Sequence, residues 1–203
     1  MAASMVVVTG PDGSGKSTAC AAVVAALQSK YGKESVASAN IWDSMEGNFD
    51  KEAVVRYLGE LDGAARVLFL FHALKHSVDL AQAKEPKLLL VDSYFYKYAA
   101  AEFTYGTAPK LVLGAAAGFE KPELTICLDL DAETALQRKG DSSRYESGGG
   151  KFTEFQKKMR THWAVLESQY GPWTHVPAAD APEVVAAKVI AHIEAAGLCK
   201  SMR

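Results

Sequence analysis

The chain has 203 residues, of which 49% are hydrophobic and 23% are charged, and its formal net charge is −2. This length suits one α/β domain with a sizeable core. The weak negative charge argues against a general binder of nucleic acid or of membrane surfaces, because both need a strong basic excess. No apolar run approaches the roughly 18 residues of a membrane span, and the start lacks the basic segment of a secretion signal. Cys20, Cys127 and Cys199 are scattered, so we expect reduced thiols in a cytoplasmic protein.

The first motif in chain order is GPDGSGKST at 10–18, which fits the phosphate-binding pattern Gly-x4-Gly-Lys-Ser/Thr. A β-branched apolar run at 5–9 predicts a buried parallel strand before it. The alanine-rich segment 19–30 predicts a helix after it. Strand, glycine loop and helix together form the setting in which such a loop binds a nucleoside triphosphate. The predicted ATP-binding residues of the loop are Gly10, Asp12, Gly13, Ser14, Gly15, Lys16, Ser17 and Thr18.

Each residue type in this loop has a physical reason. Glycines let the backbone curl so that successive N–H groups face one anion, and the N-terminus of the following helix adds partial positive charge. Lys16 is predicted to reach the β- and γ-phosphates, and the Ser17 hydroxyl is predicted to bind Mg²⁺.

Beyond the loop, predicted strands and helices alternate along the chain. The further strands are predicted at 35–42, 87–92, 122–129 and 173–176. The further helices are predicted at 50–61, 64–83, 94–105, 110–118, 131–139, 152–170 and 182–196. The stretch 140–150 is rich in glycine, serine and charge, and has no apolar period, which predicts the most mobile part of the chain.

This alternation predicts an α/β fold, the P-loop NTPase three-layer sandwich, with about five parallel strands and helices on both faces. We expect residues 1–203 to form a single domain with a short lid at about 139–150. Ligands of such a sheet bind beyond the carboxyl ends of its strands, which is where Asp43, Asp92 and the segment after Asp129 fall.

The loop indicates a nucleoside triphosphate but not the reaction. The Asn-Lys-x-Asp element with which small GTP switches read guanine does not occur in the sequence. A compact chain with an acid at a strand end and an arginine-bearing loop late in the sequence favours a small-molecule kinase. Such enzymes close a lid over the phosphates, because water would otherwise hydrolyse ATP.

In these motifs the sequence resembles the thymidylate kinase family over nearly its whole length. The segments that carry the resemblance are GPDGSGKST at 10–18, LFHALK at 70–75, VDSY at 91–94, KPELTICLDL at 121–130, RYE at 144–146 and ADA at 179–181. The first motif is specific for a superfamily, whereas the third strand and the order of the lid point to this branch.

The resemblance implies ATP- and Mg²⁺-dependent transfer to a nucleoside monophosphate, most like dTMP to dTDP. It places adenine near Arg138, Ala179 and Asp180, and it adds Asp92 to Ser17 as a metal residue. The catalytic residues that it implies are Lys16, Asp92, Arg138 and Arg144, of which a lid arginine would neutralise the transferred charge. The acceptor-binding residues that it implies are Asp12, Asp43, Phe71, Lys75, Ser93, Tyr94 and Tyr98.

Two positions depart from the family pattern. Ser93 and Lys75 stand where the family has arginines that help to hold the acceptor phosphate, and neither offers a bidentate fork. Arg66 and Lys97 are the other cations that stay open for this contact. A kinase of a nucleoside, of a modified nucleotide or of another small alcohol therefore stays open, as does a nucleotide-dependent switch without transferase activity. The partner expected in the cleft is a small molecule, and a homodimer through the helix at 64–83 stays open.

Overall fold

The computed structural model describes residues 3–45, 50–140 and 142–202 of the chain. Within these ranges five strands form one sheet, namely β1 (Ser4–Thr9), β2 (Val36–Ala39), β3 (Leu88–Asp92), β4 (Leu124–Asp129) and β5 (Thr174–Pro177). Their order across the sheet is β2-β3-β1-β4-β5, and every neighbouring pair is parallel. The prediction of a five-stranded parallel α/β sheet is confirmed.

Helices cover both faces of the sheet. They are α1 (Lys16–Tyr31), α2 (Lys51–Glu60), α3 (Gly63–Gln82), α4 (Phe95–Thr104), α5 (Pro109–Ala116), α6 (Ala132–Lys139), α7 (Arg144–Ser147), α8 (Phe152–Tyr170) and α9 (Pro182–Ala195). Short 3-10 turns lie at Lys33–Ser35, Asp43–Met45 and Lys200–Met202. Among the described residues, no helix is both long and apolar enough to cross a membrane.

The central strands divide their side chains between two apolar cores. Val6 and Val8 of β1 belong to the core shared with α1 and α9, whereas Met5 and Val7 belong to the larger core shared with α3, α4 and α8. All four side chains are at most 3% exposed, which explains why β1 is a continuous apolar run. Each such burial contributes about 1.5–3 kcal/mol, and together they fix the strands with their carboxyl ends at one edge.

The larger core contains a set of aromatic rings whose centroids lie between 4.4 and 6.2 Å from their neighbours. Its members are Phe71, Tyr94, Phe95, Tyr96, Phe119, Tyr170 and Trp173. Most of these pairs are tilted or edge-to-face, the geometries that the charge distribution of aromatic rings favours. The aromatic residues at the start of α4 therefore serve mainly to pack this helix against the sheet.

Two segments differ from the prediction. The second strand ends at Ala39 rather than at 42, because the backbone N–H and side-chain amide of Asn40 both donate to the Asp43 carboxylate, at 2.8 and 2.6 Å, and turn the chain. Within 140–150 the structure forms the helical turn α7, of which the composition gave no sign. A capping box begins it, since Ser143 Oγ accepts from the Glu146 N–H and the Glu146 carboxylate accepts from the Ser143 N–H.

His175 of β5 lies between two carboxylates. Its Nδ1 is 3.0 Å from both carboxylate oxygens of Asp129, and its Nε2 is 3.0 Å from Oε1 of Glu167 in α8. Cys127 completes a group of metal-ligand types, but a protonated ring accounts for two nitrogens that each face a carboxylate. Partial burial opposes the charge, yet the hydrogen bonds to Asp129 and Glu167 outweigh it and raise the pKa of His175.

We expect His175→Gln to destabilise the protein more in mild acid than in mild alkali. The contribution of the charged ring is complete below the pKa of the unfolded chain, about 6.5, and is lost as the pH rises through the higher folded pKa. The side chain is 43% exposed, so water screens the interaction and its largest contribution is about 1 kcal/mol. Urea unfolding of both proteins at about pH 5.5 and about pH 9 measures it. An equal difference at the two pH values would contradict the assignment.

Candidate active site

A cleft of about 1170 Å³ opens at the carboxyl ends of the strands. One part is lined by the loop at 10–18 with the start of α1, and by residues 178–182 after β5. The other part is lined by the turn after β2, by α2 and by the start of α4. Single small ligands occupy pockets of roughly 300–1000 Å³, so this cleft has room for two small molecules side by side.

The loop at 10–18 curls because its glycines adopt conformations that other residues rarely enter. Gly10, Gly13 and Gly15 have φ angles of +139°, +81° and +83°. A Cβ on Gly10 would lie 2.6 Å from the carbonyl oxygen of Leu128, and one on Gly13 would lie 2.6 Å from that of Ala135. The loop backbone therefore packs directly against β4 and α6, where any side chain would push it away.

Lys16 and Ser17 begin α1 and line the cleft. Lys16 Nζ donates to the Pro11 carbonyl at 2.6 Å, which folds the lysine back over the loop. Ser17 Oγ donates to Asp92 Oδ2 at 2.5 Å, so a hydroxyl from the loop meets the carboxylate at the end of β3. The first N–H groups of a helix have no acceptor inside the helix, which makes this end of α1 suited to an anion.

Ser93 turns the chain from β3 into α4. Its φ of +58° is uncommon for a residue with a side chain, and its N–H donates to the Val8 carbonyl at 2.9 Å. Its hydroxyl donates to Asp92 Oδ1 at 3.0 Å. Ser93 lines the cleft as predicted for a binding residue, and its observed contact orients Asp92.

Asp12 of the loop is 5% exposed and forms an ion pair with Lys97, the third residue of α4. The distance from Lys97 Nζ to Asp12 Oδ1 is 2.5 Å. Burial would raise the pKa of Asp12, but the ammonium groups of Lys97 and Lys16 outweigh it and lower that pKa. Burial and the charge of Lys97 lower the pKa of Lys16. Two ammonium groups and one carboxylate thus lie together where the two parts of the cleft meet.

The predicted adenine-side residues are brought together. Arg138 of α6 donates from Nη1 to the Ala178 carbonyl and from Nη2 to the Ala179 carbonyl, each at 2.6 Å. Arg138, Ala179 and Asp180 all line the cleft beside α1. Asp180 also accepts a hydrogen bond from Lys188 of α9 at 2.6 Å, which holds this loop against the helix.

The other part of the cleft, which we call the acceptor chamber, is largely apolar. Its walls are Ile41, Met45, Val54, Val55, Leu58, Leu70 and Tyr98. Lys51 stands at its rim with Nζ 5.0 Å from the centroid of the Trp42 ring. Asp43, predicted to bind the acceptor, is not among the lining residues and instead holds the turn through Asn40.

Two predicted acceptor residues of α3 lie outside the cleft. Phe71 is 4% exposed and packs edge-on against Phe119 in the aromatic core. Lys75 forms an ion pair with Asp79 on the surface of the same helix. Consecutive helical residues are about 100° apart, and the phase of α3 turns Leu70 rather than Phe71 toward the chamber. The interpretation of Phe71 and Lys75 as acceptor-binding residues finds no support in these positions.

Of the two tyrosines predicted to bind the acceptor, only Tyr98 lines the cleft. Tyr94 is 1% exposed, and its hydroxyl donates to the Glu120 carbonyl at 2.7 Å in the aromatic core. Tyr94 precedes the first turn of α4 and points into the core, whereas Tyr98 lies one turn inside the helix. The position of Tyr94 therefore argues against the binding role predicted for it.

Arg144 also lies away from the lining of the cleft, over Gly59 of α2. Its neighbour Tyr145 enters the cleft instead, and the Tyr145 hydroxyl is a buried group without a partner among the described residues. Tyr105 fixes this turn, since its hydroxyl donates to the Tyr145 carbonyl at 2.6 Å. The Arg66 guanidinium carbon lies 4.2 Å from the centroid of the Tyr105 ring and so packs against that ring from the core side.

Sequence patterns did not identify Lys51, Tyr145 or Gln156 as site residues, and they offered Lys97 only beside Arg66 as a replacement for the missing arginines. The Gln156 side chain of α8 donates from Nε2 to Asp12 Oδ2 at 3.4 Å, and its side-chain oxygen Oε1 is buried without a partner in the described part of the chain. Lys97 gave one signal, because a lysine in the first turn of an apolar helix opposes the helix dipole. The other three carry no local pattern, since long-range packing brings them to the cleft.

Known proteins are similar to this chain over most of its length. Residues 8–189 match the model of the family described as Thymidylate kinase. The Probable thymidylate kinase of Thermococcus onnurineus is 27% identical over 201 residues, which cover 93% of this chain and 96% of that protein. The Probable thymidylate kinase of Pyrococcus horikoshii is 24% identical over 200 residues, which cover 93% of this chain and 95% of that protein.

Solved structures show the same fold. Thymidylate kinase from Candida albicans superimposes with a TM-score of 0.74 at 18% identity, covering 97% of this chain and 93% of that one. Thymidylate kinase from Ehrlichia chaffeensis gives a TM-score of 0.67 at 17% identity, covering 96% of this chain and 100% of that one. At such identities these matches speak for the fold alone, and the assignment depends on the family model. The chain belongs to the thymidylate kinase family.

Proposed function

We propose that the protein transfers the γ-phosphoryl group of ATP to dTMP and forms ADP and dTDP. The observation that carries the proposal is a single cleft in which a phosphate-binding loop opens directly onto a largely apolar chamber. Two substrates in one cleft can meet end to end, as in-line transfer requires. Membership of the family supports dTMP as the acceptor.

ATP fits the loop side of the cleft. The curled backbone at Gly13 and the start of α1 supply N–H donors for phosphates, and Lys16 adds a positive charge. The carbonyls of Ala178 and Ala179 hold Arg138 flat beside the site, where a guanidinium can stack on adenine.

Mg²⁺ fits beside the same phosphates. Ser17 Oγ and Asp92 Oδ2 are 2.5 Å apart, and hydroxyl and carboxylate oxygens are the ligands that this ion prefers. When bound, Mg²⁺ supplies positive charge that neutralises the phosphates. Ser93 keeps the Asp92 carboxylate in place through its hydroxyl.

In the proposed reaction a phosphate oxygen of dTMP attacks the γ-phosphorus of ATP. The new O–P bond forms as the bond between that phosphorus and the β,γ-bridging oxygen breaks, and the electron pair leaves with ADP. Lys16 stabilises the spreading charge, and residues 139–150 act as the lid that excludes water. The buried Tyr145 hydroxyl and the side-chain oxygen Oε1 of Gln156 are polar groups that a bound acceptor can satisfy.

We further infer a single domain over 1–203 and a cytoplasmic location. Cys20, Cys127 and Cys199 are buried and form no disulfide in the described part of the chain, which is compatible with a reducing compartment. The homodimer through α3 stays a prediction, and Leu68 and Leu80, which are 56% and 44% exposed, are apolar residues that such an interface would cover.

The direct test is turnover with ATP, Mg²⁺ and a panel of acceptors, followed by separation of the nucleotides. We expect dTDP from dTMP and much less product from thymidine or other monophosphates. Lys16→Met should lower kcat by at least about 100-fold, because it removes a charge used in the transition state, while the unfolding midpoint stays close to that of the wild type.

Product from thymidine but not from dTMP would replace this proposal with a nucleoside kinase. Tight ATP binding without transfer to any acceptor would indicate a nucleotide-dependent switch. Undiminished turnover in Lys16→Met would contradict the site itself.

A second test concerns the loop backbone. Gly13→Ala should weaken ATP binding at least about tenfold, because φ near +81° strains alanine by about 1–2 kcal/mol and the new Cβ would press on the Ala135 carbonyl. Titration calorimetry with ATP measures this loss. Gly114→Ala in α5 is the matched control, since a Cβ there meets nothing within 4 Å, and equal losses in both variants would refute the role of the loop.

A further inference from the structure

The described lining of the cleft includes five basic side chains: Lys16, Lys51, Lys97, Arg138 and Lys139. Three are engaged away from the acceptor chamber. Lys16 bonds to the Pro11 carbonyl of its own loop, Arg138 bonds to the loop after β5, and Lys139 pairs with Glu146 at 2.6 Å. A monophosphate acceptor brings about two negative charges toward those of ATP, so the chamber needs a cation of its own.

Lys97 stands where such a cation is needed. In the sequence, Lys97 lies between Tyr96, which is buried in the aromatic core, and Tyr98, which lines the chamber. Its ammonium contacts Asp12 of the phosphate loop, and it is close enough to Lys16 that its charge lowers the pKa of that residue. The Lys97 ammonium therefore sits at the boundary between the loop and the acceptor chamber.

A purely structural role accounts poorly for this placement. The Lys97 side chain is 15% exposed and that of Asp12 is 7% exposed, and a buried ion pair contributes no more to stability than apolar residues of similar size. Lys97 also lies in the first turn of α4, where the helix dipole disfavours positive charge. The pair therefore gives the fold little that apolar residues would not give, which points to a ligand that uses the charge.

We propose that Lys97 is the residue that recognises the phosphate of the acceptor, an inference that rests on the proposed function. An ammonium group has three N–H donors, and Asp12 accepts one of them. The other two bind oxygens of the dTMP phosphate and of the γ-phosphoryl group as the two approach. Asp12 acts as a positioning residue, because it holds the ammonium at the boundary without removing its charge.

This role has a consequence for acceptor choice. Lysine is a point charge, so it selects for negative charge without imposing the planar geometry that arginine imposes. A nucleoside without phosphate gains nothing from Lys97. Preference for dTMP over thymidine is therefore the property that Lys97 controls, while the apolar walls of the chamber act on both molecules alike.

The test is equilibrium binding of dTMP and of thymidine, by titration calorimetry with Mg²⁺ and a non-hydrolysable ATP analogue. We expect Lys97→Met to weaken dTMP binding about 10- to 100-fold, the usual loss for a charge-assisted hydrogen bond, and to leave thymidine binding within about threefold. Lys97→Arg should retain most of the preference because it keeps the charge. Equal losses for the two ligands, or no loss for dTMP, would overturn the proposal.

Two further variants separate recognition from charge balance. If Lys97 only neutralises Asp12, the double variant Asp12→Asn/Lys97→Met recovers the wild-type preference for dTMP, whereas recognition by Lys97 predicts that the preference stays lost. Lys157→Met is the matched control, since it breaks a 2.6 Å ion pair with Glu133 on the surface and should leave both affinities unchanged. Thermal unfolding of each variant verifies that it is folded.

The outcomes also distinguish this inference from the proposed function. A wild-type protein that binds dTMP through Lys97 but forms no dTDP would refute the reaction and leave the inference intact. A wild-type protein that forms dTDP while Lys97→Met keeps its preference for dTMP would refute the inference alone. Equal wild-type affinity for thymidine and dTMP would also refute it.

Discussion

The close packing of the phosphate loop against β4 and α6 is the constraint on which the rest of the site depends. Gly10 and Gly13 bring the backbone so near the Leu128 and Ala135 carbonyls that no side chain fits. This contact fixes the loop in its curled form and sets where α1 begins. It also sets the position of Asp12, which the same loop carries into the centre of the cleft.

A second constraint is the balance of charge around Asp12. One carboxylate lies near the ammonium groups of Lys16 and Lys97 in a region that water barely reaches. The charges of Asp92, Glu146 and Lys139 also act on these groups, so three positive and three negative side chains are held in place there. Charge that is preorganised in this way costs no rearrangement during reaction. Because the two lysines come from different elements, α1 and α4, each can serve a different phosphate.

The sequence was sufficient for the sheet and for the phosphate loop, because both depend on contiguous patterns. β1 is a buried apolar run, and the nine residues of the loop carry their own geometry in their glycines. The acceptor side was predicted less well. The lining of this side depends on how α3 is rotated about its axis, because that rotation decides whether Leu70 or its neighbour Phe71 faces the cleft. Apolar residues on several faces of the helix conceal which of the two does so.

The lid illustrates the same limit. Its composition gave no sign of the capping box at Ser143 and Glu146, which forms a helical turn that brings Tyr145 into the cleft and leaves Arg144 outside. The sequence gives no signal of the direction in which this arginine points, because its orientation follows from contacts with Gly59 of α2 and with Tyr105. Resemblance to a family supplied candidate residues at these positions, and only tertiary packing separates those that line the cleft from those that do not.

The most direct measurement is a crystal structure with a bisubstrate analogue in which adenosine and thymidine are joined through a chain of phosphates. We expect adenosine beside Arg138, thymidine in the acceptor chamber next to Tyr98, and Lys97 Nζ within about 3.2 Å of a phosphate oxygen. Thymidine bound outside the chamber, or a Lys97 ammonium that contacts Asp12 but no phosphate oxygen, would contradict this expectation.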